Sequence, residues 1–381
     1  MSFFYFLKNE AQTRGVLQNR KEKKEMERLK QKDCKIDFLN EIDMQNFLQE
    51  MLQSDEEVSV KLNSITTYTK DEELLLEAKT TDGLKKTMAV WPFAIKSLEK
   101  RSGDTAKGHA LMTNEQILNS MNNYWGLHSD KEVSVARIRG DKILGMGSAQ
   151  YEFIDQEEML KAVINWLEMR HPGKYTFLSG YYTHQLTYAK FRIDDSISAS
   201  YKTAWRKAGL PESMLKNSSV EVTVMTDDTA ECAAKAIIQM DVSRTRYLLG
   251  NPIEVIHRSG HGGIENFTKE LDKADMSIQT ELDALASLMF VKLSYPESAA
   301  VAALKKAGVH KISKKACKEL TENMFFGTNE SAYIVYLYLH SILDTSYGSA
   351  LSEERKLRIV CALRTLLKED WKKLDVPGAE L

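Results

Sequence analysis

Apolar residues recur along this chain with two different periods, and the change between them divides it. From Ile36 the spacing is helical: Phe38, Ile42, Phe47, Leu48, Met51 and Leu52 fall on a repeating face. At Val58 the period drops to two. Val58, Val60 and Leu62 alternate with polar residues, and Leu74 to Ala78 reads as a second short strand. Trp91-Pro92-Phe93-Ala94 then opens a helix to about Lys100, because proline is preset for a first helical turn. Thr113 and Gln116 have capping-box spacing ahead of Ile117, Leu118 and Met121.

Val133 to Ser148 predicts a hairpin turning at Arg139-Gly140-Asp141-Lys142, with positive φ at Gly140. That turn accounts for the Arg-Gly-Asp tripeptide without any adhesive role. Gly145 and Gly147 in the returning strand predict close packing or a bulge. Asp155 and Glu158 open a helix through Leu160, Val163, Ile164 and Leu167, which Pro172-Gly173 ends. Residues 174–193 predict a second hairpin, with Tyr182, His184, Leu186 and Tyr188 on one face. A polar-aromatic helix near Ile197 to Ala208 follows, then a strand through Val220, Val222 and Val224, then a helix over Thr229 to Met240.

After Asp275 the strand signal fades. Ile278, Leu282, Leu285 and Leu288 share a helical face, and further helices are expected near 297–307, 313–325, 330–344 and 351–370. The expected fold is α+β: an antiparallel, strand-rich central core with helices, followed by an all-helical C-terminal bundle. Three units are expected: an N-terminal helical, charged arm over 1–53, an α+β core over 54–274, and a helical domain over 275–381.

Composition narrows the function classes. The 381 residues carry a formal net charge of −2, so contact with nucleic acid has to come from local patches. Cys34, Cys232, Cys317 and Cys361 lie far apart, which fits a reducing compartment and no zinc ribbon. The first residues, MSFFYFLKNE, are too short an apolar patch for a signal peptide or a span, so a cytoplasmic protein without a membrane partner is expected. Residues 14–35 hold nine Lys/Arg against four Asp/Glu, a solvated helix face or a basic arm.

Catalytic signatures are missing. There is no Gly-x-Ser-x-Gly, no phosphate loop and no complete dinucleotide fingerprint, so no cofactor is expected. His257 and His261 are four apart, a spacing that serves a metal on a helix, but Gly260, Gly262 and Gly263 make the stretch a loop. Asp194-Asp195 and Asp227-Asp228 sit at strand ends, where aspartate caps and turns the chain. His184 is expected as a half-buried strand residue. A metal enzyme using His257 and His261 is therefore the weakest reading.

Residues 174–207 are the most suggestive stretch. Six cations (Lys174, Lys190, Arg192, Lys202, Arg206, Lys207) face two acids and are interleaved with Tyr182, Tyr188, Phe191, Tyr201 and Trp205. Cations neutralise phosphates and flat rings stack on unpaired bases, the mixture that single-stranded DNA or RNA requires. Arg244 and Arg246 repeat the theme beside Tyr247. The expected interface is Tyr182, Lys190, Arg192, Lys202, Trp205, Arg206, Lys207, Arg244 and Arg246, with Tyr182 and Trp205 stacking. The alternative is that these rings face the core and the cations are merely solvated.

Three stretches carry a family resemblance: the helix with Ala94, Leu98, Arg101 and Gly103; Val135 to Tyr151, reading VARIRGDKILGMGSAQY; and Ser179 to Phe191 with the strand Val220 to Met225. Over roughly residues 90–230 the chain resembles phage- and plasmid-encoded proteins of an uncharacterised family. The resemblance implies a mobile-element protein of a bacterial host cytoplasm and no established catalytic residues. The expected function is a non-enzymatic, nucleic-acid-binding accessory of recombination or replication. The alternative is a structural or protein-interaction component, an assembly part or a host-factor inhibitor, for which an exposed apolar patch and a defined oligomer, such as a homo-oligomer, are expected.

Overall fold

The structure is a computed structural model. It describes residues 35–379 apart from 72, 103–111, 195, 230–232, 243–244, 256, 258–262, 309–325, 328, 345, 350 and 352. The basic stretch 14–35 (all but its last residue), Arg244, His261 and the helix expected over 313–325 lie outside the described residues.

The fold is α+β, with two antiparallel sheets in the core and helices toward the C-terminus. Ile36–Phe38 forms a strand (β1), where a helix was expected to begin; Asn40 then caps the helix Glu41–Leu52 (α1) by accepting from the Asp43 N–H. The chain next builds six strands: Asp55–Lys61 (β2), Thr66–Lys70 (β3), Glu73–Lys79 (β4), Lys85–Val90 (β5), Val133–Arg139 (β6) and Lys142–Ser148 (β7). Their order is β2-β6-β7-β5-β4-β3. One contact, β5 with β7, is parallel where antiparallel pairing was expected. Thr81 N–H donates to the Ser59 carbonyl and Val60 bridges Thr80, so the sheet curls toward a barrel. Its interior is filled by Val60, Leu76, Ile138, Leu144 and Trp125, the last from helix Asn114–Gly126 (α3). The expected capping box of Thr113 and Gln116 starts α3, with both bonds made. The Pro92 turn is 3₁₀ over Pro92–Ala94 and continues as helix Ile95–Arg101 (α2).

The second sheet uses β1 with Tyr175–Thr183 (β8), Leu186–Ile193 (β9), Ser219–Thr226 (β10), Ala234–Val242 (β11), Thr245–Leu248 (β12) and Ile253–Val255 (β13). Its order is β1-β8-β9-β10-β11-β12, with β13 also on β11. The helix expected over Thr229 to Met240 is thus replaced by β11. Its Ala and Ile residues are buried on both faces of the sheet, and their continuous apolar run lacks the alternation that marks a strand. One face packs on α1, on helix Gln156–Arg170 (α4), on helix Ala199–Lys207 (α5) and on helix Gly263–Leu288 (α7, after the short helix α6 at Glu212–Lys216). The other face meets Val360 of helix Glu353–Thr365 through Tyr188, Met225, Ile237 and Leu248. The same core that holds β1 and α1 also holds Tyr333, Tyr336 and Leu339 of helix Ala332–His340, so hydrophobic packing runs across the boundaries expected at 53/54 and 274/275. Among the described residues no helix is long and apolar enough to cross a membrane.

A buried polar cluster joins the two sheets. Arg139, at the end of β6, grips Asp55 with two bonds, Nε to Oδ1 at 2.6 Å and Nη2 to Oδ2 at 2.8 Å. Its Nη1 donates to the Tyr182 hydroxyl at 2.7 Å, and Nη2 lies 3.2 Å from Asp228. The Tyr182 hydroxyl donates onward to Asp228. Arg137 ties Asp55 to Asp155. Asp155 therefore starts α4 with its backbone while its carboxylate serves Arg137 instead of capping the helix. His184 is buried, not half-buried, between Trp91 and Phe93, its ring stacked on Phe93 at 4.8 Å. A Cβ on Gly145 would meet the Thr229 carbonyl at 2.6 Å, so the glycine expected to allow close packing lets β7 approach the segment between β10 and β11.

Candidate nucleic-acid interface

The α5 helix sorts its residues by helical period. Ser198 caps it by accepting from the Tyr201 N–H, and Gly209, at positive φ, ends it. Tyr201, Ala204 and Trp205 turn inward; Lys202 and Arg206, four apart, share the other face. The following Pro211 starts α6, which ends on Lys216. The last residues of β9 bring Arg192 to the same place. These three pieces surround an open trough of about 630 Å³, lined by Arg192, Asp194, Lys202, Arg206, Glu212 and Lys216 over a floor of Ile193, Ile197 and Leu215.

Four cations against two carboxylates leave the trough with two net positive charges. The carboxylates are engaged in orienting the arginines. Arg192 Nε donates to Asp194 at 2.7 Å and its Nη2 reaches Thr176 at 3.4 Å; Arg206 Nε donates to Glu212. Lys202 and Lys216 make no ion pair among the described residues. Lys216, together with Asn217 to Ser219, was not among the expected interface residues. Its signal was present, since a lysine closing a short helix beside another basic helix faces the same solvent, but α6 is too short to show a period.

Of the remaining expected residues Arg244 lies outside the described residues, and the others lie away from the trough. Tyr182 and Trp205 are both 0% exposed, so neither ring offers a face to a base, and the stacking role expected of them is corrected on that ground. Tyr182 belongs to the joint between the sheets. Trp205 meets Tyr333 edge-on at 5.7 Å and donates its indole N–H to the Pro211 carbonyl. Lys190 is buried in mid-sheet and pairs with Glu221 at 2.8 Å, on the strand beside it. Arg246 pairs with Asp241 directly across β11 and β12. Lys207 is exposed on α5 but outside the trough. The structure thus brings Arg192, Lys202 and Arg206 into one site and holds Tyr182, Lys190, Trp205, Lys207 and Arg246 away from it.

The buried groups show how polar chemistry is spent inside the fold. Burial pushes the Asp228 carboxyl up, but the Arg139 guanidinium, with His184 and Arg137, more than offsets it and holds the group well below the usual carboxylate range. Burial drives the Tyr182 phenol well above its ordinary value. His257 stacks on Tyr151, and its Nδ1 lies 3.1 Å from the Glu152 carbonyl; burial pushes it down to about 4. Among the described residues no three His, Cys, Asp or Glu side chains converge as a metal would require. Comparison of the chain with protein-family models, with curated proteins and with solved structures found no match.

Proposed function

We propose that the chain is a non-enzymatic, phage- or plasmid-type protein that binds nucleic acid through its phosphates. The observation that carries this reading is the convergence of Arg192, Lys202, Arg206 and Lys216 on one open trough. Two of the four are guanidiniums already held at one edge by a carboxylate, a geometry that presents the remaining N–H groups to a phosphate oxygen. The rings expected to stack on bases are interior, so the reading rests on charge and is sequence-independent. An acidic chain with a local basic trough also orients such a ligand toward one face.

A salt titration of binding to a labelled oligonucleotide tests it. The two net positive charges of the trough predict a log–log slope of about −1 to −2. Lack of binding at low salt, with the protein folded, contradicts the proposal.

A further inference from the structure

Resting on that reading, we infer that the trough takes one nucleotide at a time, as a nucleoside monophosphate unit. Shape is the first argument. Its volume of about 630 Å³ falls among sites of ~300–1,000 Å³ that enclose one small molecule. Surfaces that track a strand instead cover about 4–16 nucleotides per module. Here the cations come from three adjoining short pieces, the end of β9, one face of α5 and the end of α6, and Lys207 on α5 already lies outside.

Charge is the second argument. The two net positive charges match a terminal phosphomonoester, which carries about −1.5 to −2 near neutral pH, better than a single diester. Among the described residues both terminal nitrogens of Arg206 are left for an acceptor, with Nε fixed on Glu212. Lys202 and Lys216 supply two ammonium groups beside it. The floor of Ile193, Ile197 and Leu215 is apolar but itself buried, so it closes the trough from below and leaves recognition to the cations.

The same chemistry comes from two sources, the phosphorylated end of a strand or a free nucleotide, and the experiment separates them. The full-length protein is titrated with a long single strand bearing a terminal phosphate, the same strand without it, a phosphorylated dinucleotide, and adenosine monophosphate as competitor. The terminal phosphate is expected to tighten binding about tenfold, and the dinucleotide to bind about as well as the long strand. Lys202→Glu combined with Lys216→Glu is expected to abolish that advantage; neither lysine pairs with an acid among the described residues, and an unchanged melting curve verifies that the variant folds. Competition by the mononucleotide at the level of the dinucleotide names the free nucleotide as a ligand, and weaker competition names the strand end; both support the site. Affinity that rises steadily with length, with no gain from the phosphate, overturns this inference and leaves nucleic-acid binding standing. Absence of binding by every probe overturns the nucleic-acid reading and this inference with it.

Discussion

A guanidinium taken out of water must find an acceptor for its N–H groups or lose the hydration it left behind. Arg139 is 6% exposed and finds Asp55, Tyr182 and Asp228, which come from β2, β8 and the segment after β10. Three carboxylates, Asp55, Asp155 and Asp228, surround the pair Arg137 and Arg139, so removing one arginine strands buried negative charge. Arg139→Met is expected to lower stability by about 3–5 kcal/mol, read by urea unfolding, because the partners stay buried without their counter-charge. A loss below about 1 kcal/mol, the size of an exposed pair, would show that the sheets are joined by packing alone.

At the scale of elements, legibility followed exposure. The two hairpins were readable from their alternation and turn residues, and the helix at Thr113 and α4 from residues at capping positions; Gly140 turns at φ 64° as its position requires. β11 was misread because Ala236, Ile237 and Ile238 form a continuous apolar run, in which periodicity does not separate a buried strand from a helix. The candidate site divides along the same line. Lys202 and Arg206, singled out by composition, lie four apart on the outer face of α5 and so line one trough. Tyr182 and Lys190 were misassigned because their strands are covered on both faces, which nothing in the alternation of 174–193 reveals. Arg137 and Arg139 had a signal that passed unused: two arginines at alternate positions of an otherwise apolar strand need buried acids.

For the whole molecule, several buried ionisable groups point toward the same acid sensitivity. His340 is enclosed by Tyr247 and Tyr336 and burial pushes it down to about 3, while His257 is held at about 4. In the unfolded chain both return to about 6.5. The unfolded state therefore binds more protons below that value, and stability falls as pH drops from about 6.5 toward 3. Asp228 adds a loss lower down, since its folded value lies beneath the unfolded one and its contribution fades as pH falls through it. Melting temperature measured between pH 7 and 4 is expected to decline steadily; a flat profile would contradict the buried, neutral state of these histidines.

Charge placed in one trough, rather than charge in general, is the central claim, and paired reversals separate the two. Lys202→Glu with Lys216→Glu alters the lining, while Lys207→Glu alters the same helix outside it. Oligonucleotide affinity at fixed low salt is expected to fall by about thirtyfold or more in the double variant and to stay within about threefold in the control. Equal losses in the two would contradict the account, since they would mean that the surface attracts phosphate wherever a lysine stands.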